Sequence, residues 1–271
     1  MSNLALRFVT ALLAIPLLIA AIQWQNPLGV WLWVLVAQVA GLREWMNMTM
    51  PKEPLFDRGF CVVLGVAYAT LIYYCSGEQV VLFGLWGVTV LGFLFFLFRH
   101  GAIETVAARV AYLLSGILYA GVLILPLALM KRRSDGGAWI YICLTSAWLS
   151  DTGAYFAGRF IGKYWGKKLW PAISPKKTWV GGFGGLFGSL VALSIAKLWY
   201  LPALTWLDVG LIAVPANILG QLGDLCESLI KRSVGVKDSG VLLPGHGGML
   251  DRIDALLFVV PYVYAFAEIR F

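Results

Sequence analysis

Charge is what this chain of 271 residues has least of: Asp, Glu, Lys and Arg make up 13% of it, while 60% is hydrophobic. A soluble domain carries roughly 25% charged residues, so a water-soluble globular enzyme is excluded. Histidine is scarce, with 2 residues, and the 4 cysteines (Cys61, Cys75, Cys143 and Cys226) form no CxxC pair. A zinc site needs a closed set of Cys and His ligands, so none is indicated. The cysteines read instead as small buried residues. Lipidation motifs, low-complexity tracts and repeats of roughly 20 to 50 residues are also missing.

What fills the sequence is apolar runs. Windows long enough to cross a hydrocarbon core of about 30 Å as helix recur at 4–22, 28–45, 59–76, 80–98, 108–130, 138–158, 181–200, 208–230 and 247–268. The expected fold class is all-α: a polytopic integral membrane protein of about nine transmembrane helices, with a polar cavity open to the cytoplasmic face. The first window is read as a span and not a cleaved signal, because similar spans follow at once. The pattern is weakest over 101–137, where Gly101, Glu104 and Arg109 interrupt it. With a cytoplasmic N-terminus, most of the 21 basic residues fall in inside loops. The cluster Lys131, Arg132 and Arg133 is the exception, and a re-entrant segment there would remove it. Both long polar loops, 159–180 and 231–246, then share the cytoplasmic face, which divides the chain into an N-terminal transmembrane scaffold, 1–137, and a C-terminal catalytic region, 138–271. The net charge of +7 fits anionic headgroups and loop orientation better than nucleic acid.

Asp151, Asp224, Glu227, Asp251 and Asp254 lie in or at the ends of apolar windows. Each costs several kcal/mol there unless compensated. Salt bridges to Lys231, Arg232 or Arg252 are one compensation, and a metal and phosphate site is another. At roughly 100° per residue, Asp224, Glu227, Ser228 and Lys231 share one helix face, and Asp251 and Asp254 share another. Oxygen ligands with no Cys or His set suit a hard cation, so Mg²⁺ bridging to substrate phosphates is the natural candidate. The cations are equally gathered: Lys163, Lys167, Lys168, Lys176 and Lys177, then Lys231, Arg232 and Lys237. The first three also read as a solvated loop. Lys176 and Lys177 differ, because Ser174 and Pro175 are expected to fix a turn before them, and Thr178 and a glycine-rich helix start follow. The Gly245, His246, Gly247, Gly248 run opens the last span, where small residues let phosphate or metal approach the backbone. His246 is read as a helix cap or phosphate contact ahead of a general base. Gly181 and Gly185, and Gly184 and Gly188, are spaced for tight helix packing, and their face permits a homodimer.

The stretch SLIKRSVGVKDSGVLLPGHGGMLDRID, Ser228 to Asp254, resembles the signature of the phosphatidate cytidylyltransferases, also called CDP-diacylglycerol synthases. Upstream, SDTGAYFAGRFIGK (Ser150 to Lys163), SPKKTW (Ser174 to Trp179) and QLGDLCESLIKR (Gln221 to Arg232) are similar to family blocks. The resemblance covers 150–254, and Val180 departs from it where an acidic residue usually stands. It implies transfer of CMP from CTP to phosphatidic acid, giving CDP-diacylglycerol and pyrophosphate, with Mg²⁺ alone or with a second cation. In that chemistry Asp224, Lys231, Asp251 and Asp254 are the catalytic residues. Asp224, Asp251 and Asp254 hold the metal, with Asp151 and Glu227 as auxiliary groups. Ser174, Lys176, Lys177, Ser228, Arg232, Lys237, Asp238 and His246 bind substrate or phosphate. The implied partners are CTP, phosphatidic acid and membrane lipids. The compactness of the chain and its lack of targeting extensions point to a bacterial inner membrane, and the loop charges to a site facing the cytoplasm. Competing readings are a CTP-dependent enzyme acting on an ether lipid or polyprenol, an ion-coupled transporter, and an inactive paralogue suggested by Val180.

Overall fold

The computed structural model describes residues 3–75, 77–164, 166–242 and 247–271. In chain order its helices are α1 (Asn3–Gln23), α2 (Leu28–Thr49), α3 (Leu55–Tyr74), α4 (Glu78–Phe98), α5 (Val106–Gly116), α6 (Pro126–Met130), α7 (Gly136–Phe160), α8 (Trp179–Ile195), α9 (Trp206–Ser233) and α10 (Leu250–Arg270). Two short strands, β1 (Lys168–Trp170) and β2 (Ser174–Thr178), pair antiparallel, so the chain is nearly all-α and not wholly so. Among the described residues, 5 helical stretches are long and apolar enough to cross a bilayer: Leu55–Tyr74, Glu78–Phe98, Ile103–Met130, Trp179–Tyr200 and Trp206–Ser233. This is an integral membrane protein. The helices α2, α7 and α10 are as long, but Arg43 and Glu44, Asp151 and Arg159, and Asp251, Arg252 and Asp254 lower their hydropathy.

The chain forms two compact units, residues 1–129 with 238–252, and residues 130–237 with 253–271. The weakly patterned segment is helical over Ile103–Val122, and a turn at 123–125 precedes α6. It passes through a π-helical turn, Ile117–Val122, where the Leu123 amide reaches back to the Leu118 carbonyl at 3.1 Å. Gln38 on α2 takes up the Gly121 carbonyl at 2.7 Å, which supplies a partner where the regular ladder is disturbed. Polar groups at the end of α2, the start of α3, the end of α4 and the start of α5 bond to one another. Arg58 reaches Asn47 at 2.7 Å, Arg99 pairs with Asp57 at 2.8 Å, and Arg109 pairs with Glu53 at 3.1 Å. Arg109 is buried and also donates to the His100 and Ala102 carbonyls, which explains how a cation is tolerated inside an apolar window.

The second unit is organised by the contact of α7 with α8. A Cβ at Gly188 would run into the Leu149 carbonyl oxygen, and one at Gly184 would meet Ala157 and the Gly153 carbonyl. The spaced glycines therefore pack helices tightly, as expected, and that face is used inside the chain. Thr178 caps α8, its side chain accepting from the Gly181 amide at 3.1 Å. Ahead of it the chain is strand, not turn: Lys168 pairs with Thr178 and Trp170 with Ser174, and the turn lies at 171–173. Pro175 is tolerated because a two-stranded sheet leaves one edge open, where its missing N–H is no loss.

Arg133 is ion-paired with Asp135 at 3.0 Å and with Glu268 at 2.9 Å. Burial pushes the Asp135 carboxyl up, but bonds from Arg133 and Trp139 outweigh it and hold the group below its ordinary value. One cation of the exceptional basic cluster is thereby neutralised. Of the cysteines, Cys61 and Cys143 are buried as expected, whereas Cys226 is half-buried and Cys75, just past the last turn of α3, is exposed.

Candidate active site

The residues expected on one face of α9 do meet there. The Ser228 hydroxyl lies 3.3 Å from Asp224 Oδ1, and Lys231 Nζ lies 2.6 Å from Glu227 Oε2, both pairs one helical turn apart. Lys177, near the end of β2, reaches across to the same face. Its ammonium sits 2.7 Å from Asp224 Oδ2 and donates to the Gln221 carbonyl at 3.3 Å. Strand alternation sends Lys176 the other way, and it is exposed. The charged groups that act on Asp254 of α10 are Asp224, Asp151 and Lys231. Gly223 allows this approach, since a Cβ there would stand 2.5 Å from the Asp254 carbonyl oxygen. Lys177, Asp224 and Ser228 are thus in contact, as are Glu227 and Lys231 one turn on, and Asp151 and Asp254 lie within electrostatic reach of them in the second unit.

Within the second unit, Ser174, Arg232 and Lys237 are not joined to these residues. Ser174 is at the far end of β2, opposite Trp170. Arg232 and Lys237 are exposed, and Arg232 donates to the Val236 carbonyl at 3.0 Å. In the first unit, Asp238 is exposed, while Asp251 Oδ2 accepts from the Gly248 amide at 2.8 Å and from the Ser239 amide and hydroxyl at 3.0 Å each. His246 and Gly245 lie outside the described residues.

Two groups of residues were not expected. Asn217 bonds Ser150 and Gln221, at 2.9 Å each, forming a polar strip along α9. Glu44 on α2 is buried and bonds the Ser239 hydroxyl at 3.0 Å. Its signal in the sequence was the adjacent charged pair Arg43 and Glu44 inside the window 28–45, the same anomaly that marked the later carboxylates.

Internal salt bridges are therefore part of the compensation, and exposure ranks them. The side chains of Lys177 and Asp224 are 23% and 36% exposed, so solvent screens that pair and its net worth is about 1 kcal/mol or less. Those of Lys231 and Glu227 are 10% and 3% exposed. Removing one partner of such a buried pair costs about 3–5 kcal/mol. Lys231→Met is expected to lower stability by about that amount, seen as a large drop in the thermal unfolding midpoint in detergent. An unchanged midpoint would show that the pair contributes nothing net.

An apolar groove of about 350 Å³ runs between α8 and α9, walled by Leu169, Trp179, Phe183, Leu186, Val214, Ile218, Leu222 and Leu225. Asn217 and Gln221 are its polar lining. Gln221 is the residue whose carbonyl receives the Lys177 ammonium, so a cation and a hydrophobic groove share one residue. A molecule with an anionic head and an apolar tail matches that arrangement.

The profile of the cytidylyltransferase family matches residues 5–270, which is nearly the whole chain. The chain belongs to the cytidylyltransferase family. It is 35% identical to a phosphatidate cytidylyltransferase of Staphylococcus epidermidis over 262 residues, 94% of this chain and 95% of that protein. Proteins of the same name from Staphylococcus aureus and Staphylococcus haemolyticus are 44% and 46% identical over 153 residues, 56% of each chain. The family match extends well beyond 150–254, so the first unit, with Glu44, belongs to the family as much as the second does.

Proposed function

We propose that the protein transfers the cytidylyl group of CTP to phosphatidate, giving CDP-diacylglycerol and pyrophosphate. The observation that carries this reading is the Lys177–Asp224 pair beside an apolar groove, in a chain that matches a named phosphatidate cytidylyltransferase over 95% of its length. An oxygen of the lipid phosphate attacks the α-phosphorus of CTP in line. The bond from that phosphorus to the bridging oxygen breaks, and pyrophosphate leaves with the electron pair. The lipid phosphate is already largely ionised at pH 7, so no strong base is needed and the work of the chain is to align and neutralise charge.

Lys177 turns from Asp224 to the incoming phosphates. Lys231 holds Glu227 until a phosphate competes for it, and Lys176, Arg232 and Lys237 add positive charge for triphosphate or headgroup. Ser174, Ser228, Asp238 and His246 supply hydrogen bonds or order the loops. Among the described residues, no three His, Cys, Asp or Glu side chains are gathered so as to hold a metal by themselves. Mg²⁺ does not require that: it keeps several waters and binds through one or two carboxylates plus substrate phosphates. The all-oxygen donors Asp224, Asp251 and Asp254 fit that demand, with Asp151 and Glu227 as auxiliary groups or for a second cation. When bound, the cation neutralises the phosphate oxygens and the leaving pyrophosphate.

In this reading α1, α2, α7 and α10 complete a bundle of about nine spans, with 1–137 as scaffold and 138–271 as catalytic region. The site opens to the cytoplasm of a bacterial inner membrane, and the groove beside α8 admits lipid from the bilayer. A homodimer would form on a face other than the α8 glycines, which α7 covers.

The test uses the purified protein in detergent with phosphatidate micelles, Mg²⁺ and CTP labelled at the α-phosphate. Label should enter chloroform-soluble lipid, and chelation should stop it. Label on an ether lipid or prenyl phosphate, and none on phosphatidate, would replace the substrate. A folded preparation that labels no lipid would overturn the assignment. Val180 is half-buried and lines a cavity with Gly166, Lys167, Trp179 and Phe183. Val180→Glu is accordingly expected to change the rate by about twofold or less. A tenfold rise, on the order of 1.4 kcal/mol, would place the missing carboxylate in the chemistry.

A further inference from the structure

The glycines ahead of α10 do admit an anion to the backbone, and within the first unit that anion is the chain's own Glu44. Its Oε1 accepts the Met249 amide at 2.8 Å, and its Oε2 accepts the Leu250 amide at 2.9 Å and the Ser239 hydroxyl at 3.0 Å. These amides belong to the start of α10, whose dipole favours a negative charge. Gly248 is required by this packing: a Cβ there would collide with Ser239 Oγ and stand 2.5 Å from Glu44 Oε2. At Gly240 a Cβ would lie 2.7 Å from Glu44 Oε1, so the carboxylate is enclosed by backbone on two sides. Gly247, at φ +83°, adopts a backbone that only glycine takes without strain.

Ser239 joins this carboxylate to a second. Its hydroxyl is 3.0 Å from both Glu44 Oε2 and Asp251 Oδ2, and its amide also donates to Asp251 Oδ2 at 3.0 Å. The same Asp251 oxygen receives the Gly248 amide at 2.8 Å. Two residues that donate to Asp251, Ser239 and Gly248, are thus held by Glu44 directly or next to an amide that Glu44 binds. Both Glu44 and Ser239 are buried, at 6% and 5% exposure.

We propose that Glu44 is a positioning residue: through Ser239 and the amides of Met249 and Leu250 it sets the aim of the Asp251 carboxylate. This rests on Asp251 acting on the metal or phosphates of the reaction above, and it extends the machinery into the half of the chain otherwise read as scaffold. Glu44→Gln tests it, because an amide cannot accept on both of its ends, so one of the backbone donors or the serine must lose its partner. Amide hydrogen exchange of Gly248, Met249 and Leu250 should accelerate at least tenfold. The concentration of Mg²⁺ giving half-maximal label transfer should rise several-fold, with kcat lower by tenfold or more. In the background of Asp251→Asn the Glu44 change should add little, since the group it aims is already altered. Ser239→Ala, which removes the shared hydroxyl and leaves the amides on Glu44, should shift the Mg²⁺ dependence in the same direction and serves if Glu44→Gln does not fold.

Wild-type exchange at these amides in Glu44→Gln would overturn the proposal. So would faster exchange combined with unchanged Mg²⁺ dependence and full additivity with Asp251→Asn. If the unsubstituted protein transfers no label, the activity fails instead, and the exchange measurement still decides whether Glu44 holds the segment.

Discussion

Asp224→Asn is expected to lower cytidylyl transfer by about 10²- to 10³-fold while leaving the protein folded. The two halves of that statement come from different facts. Asp224 is the carboxylate that meets Lys177 at 2.7 Å and Ser228 at 3.3 Å, and it acts on Asp254. It is also more than a third exposed, so the ion pair it forms adds about 1 kcal/mol or less to stability. The unfolding midpoint should therefore move by a few degrees at most, with label transfer nearly lost. The double exchange Lys177→Asp with Asp224→Lys separates chemistry from architecture. It restores an ion pair in the reverse sense but puts an ammonium where the proposed cation would bind. Recovery of the midpoint without recovery of transfer is the expected result. Recovery of both would mean that the pair is structural and that Asp224 has no role of its own.

Gly188→Val is expected to destabilise the protein by about 3 kcal/mol or more, leaving little monodisperse material in detergent. The reason is geometric. The new Cβ would meet the Leu149 carbonyl oxygen, which is backbone and cannot rotate aside, and a few residues away Gly184 and Gly153 are as closely opposed. To admit one methyl group the two helices would have to part along their whole contact. Gly87→Ala is the control, since a Cβ at that position of α4 has nothing within 4 Å. It should leave the midpoint unchanged or raise it slightly, by the roughly 0.5–1 kcal/mol that alanine gains over glycine in a helix. Equal loss in the two variants would point to general intolerance of α-helix substitution in detergent and away from the α7–α8 contact.

Legibility in the sequence followed distance along the chain. The apolar windows and the facing of Asp224 with Ser228 and of Glu227 with Lys231 are local and periodic, so they could be read directly. The hairpin of β1 and β2 could not. Its residues, Lys168 to Trp170 and Ser174 to Thr178, show no alternation of apolar and polar side chains, and a proline sits in the second strand. Which cation pairs with Asp224 was equally hidden, because Lys177, Lys231 and Arg232 offer the same charge. Glu44 was missed for the same cause in stronger form. Its partners Ser239 and Leu250 lie 195 and 206 residues away, and only the fold connects them. The exposed Cys75 shows a different limit: hydropathy identifies apolar surroundings, but not whether a residue just past a helix end is covered.

The pairing of Lys177 with Asp224 bears on the energetics of turnover. Before substrate arrives, each group of this pair offsets the other, so neither stands as an uncompensated charge. A nucleotide that enters with its own counterion finds the complementary pair already present. In the proposed reaction the ammonium would pass to phosphate and the carboxylate to the cation, in a metathesis of partners. The count of uncompensated charges is then the same before and after loading. On that account the pair sets the cost of an empty site as much as the rate of an occupied one.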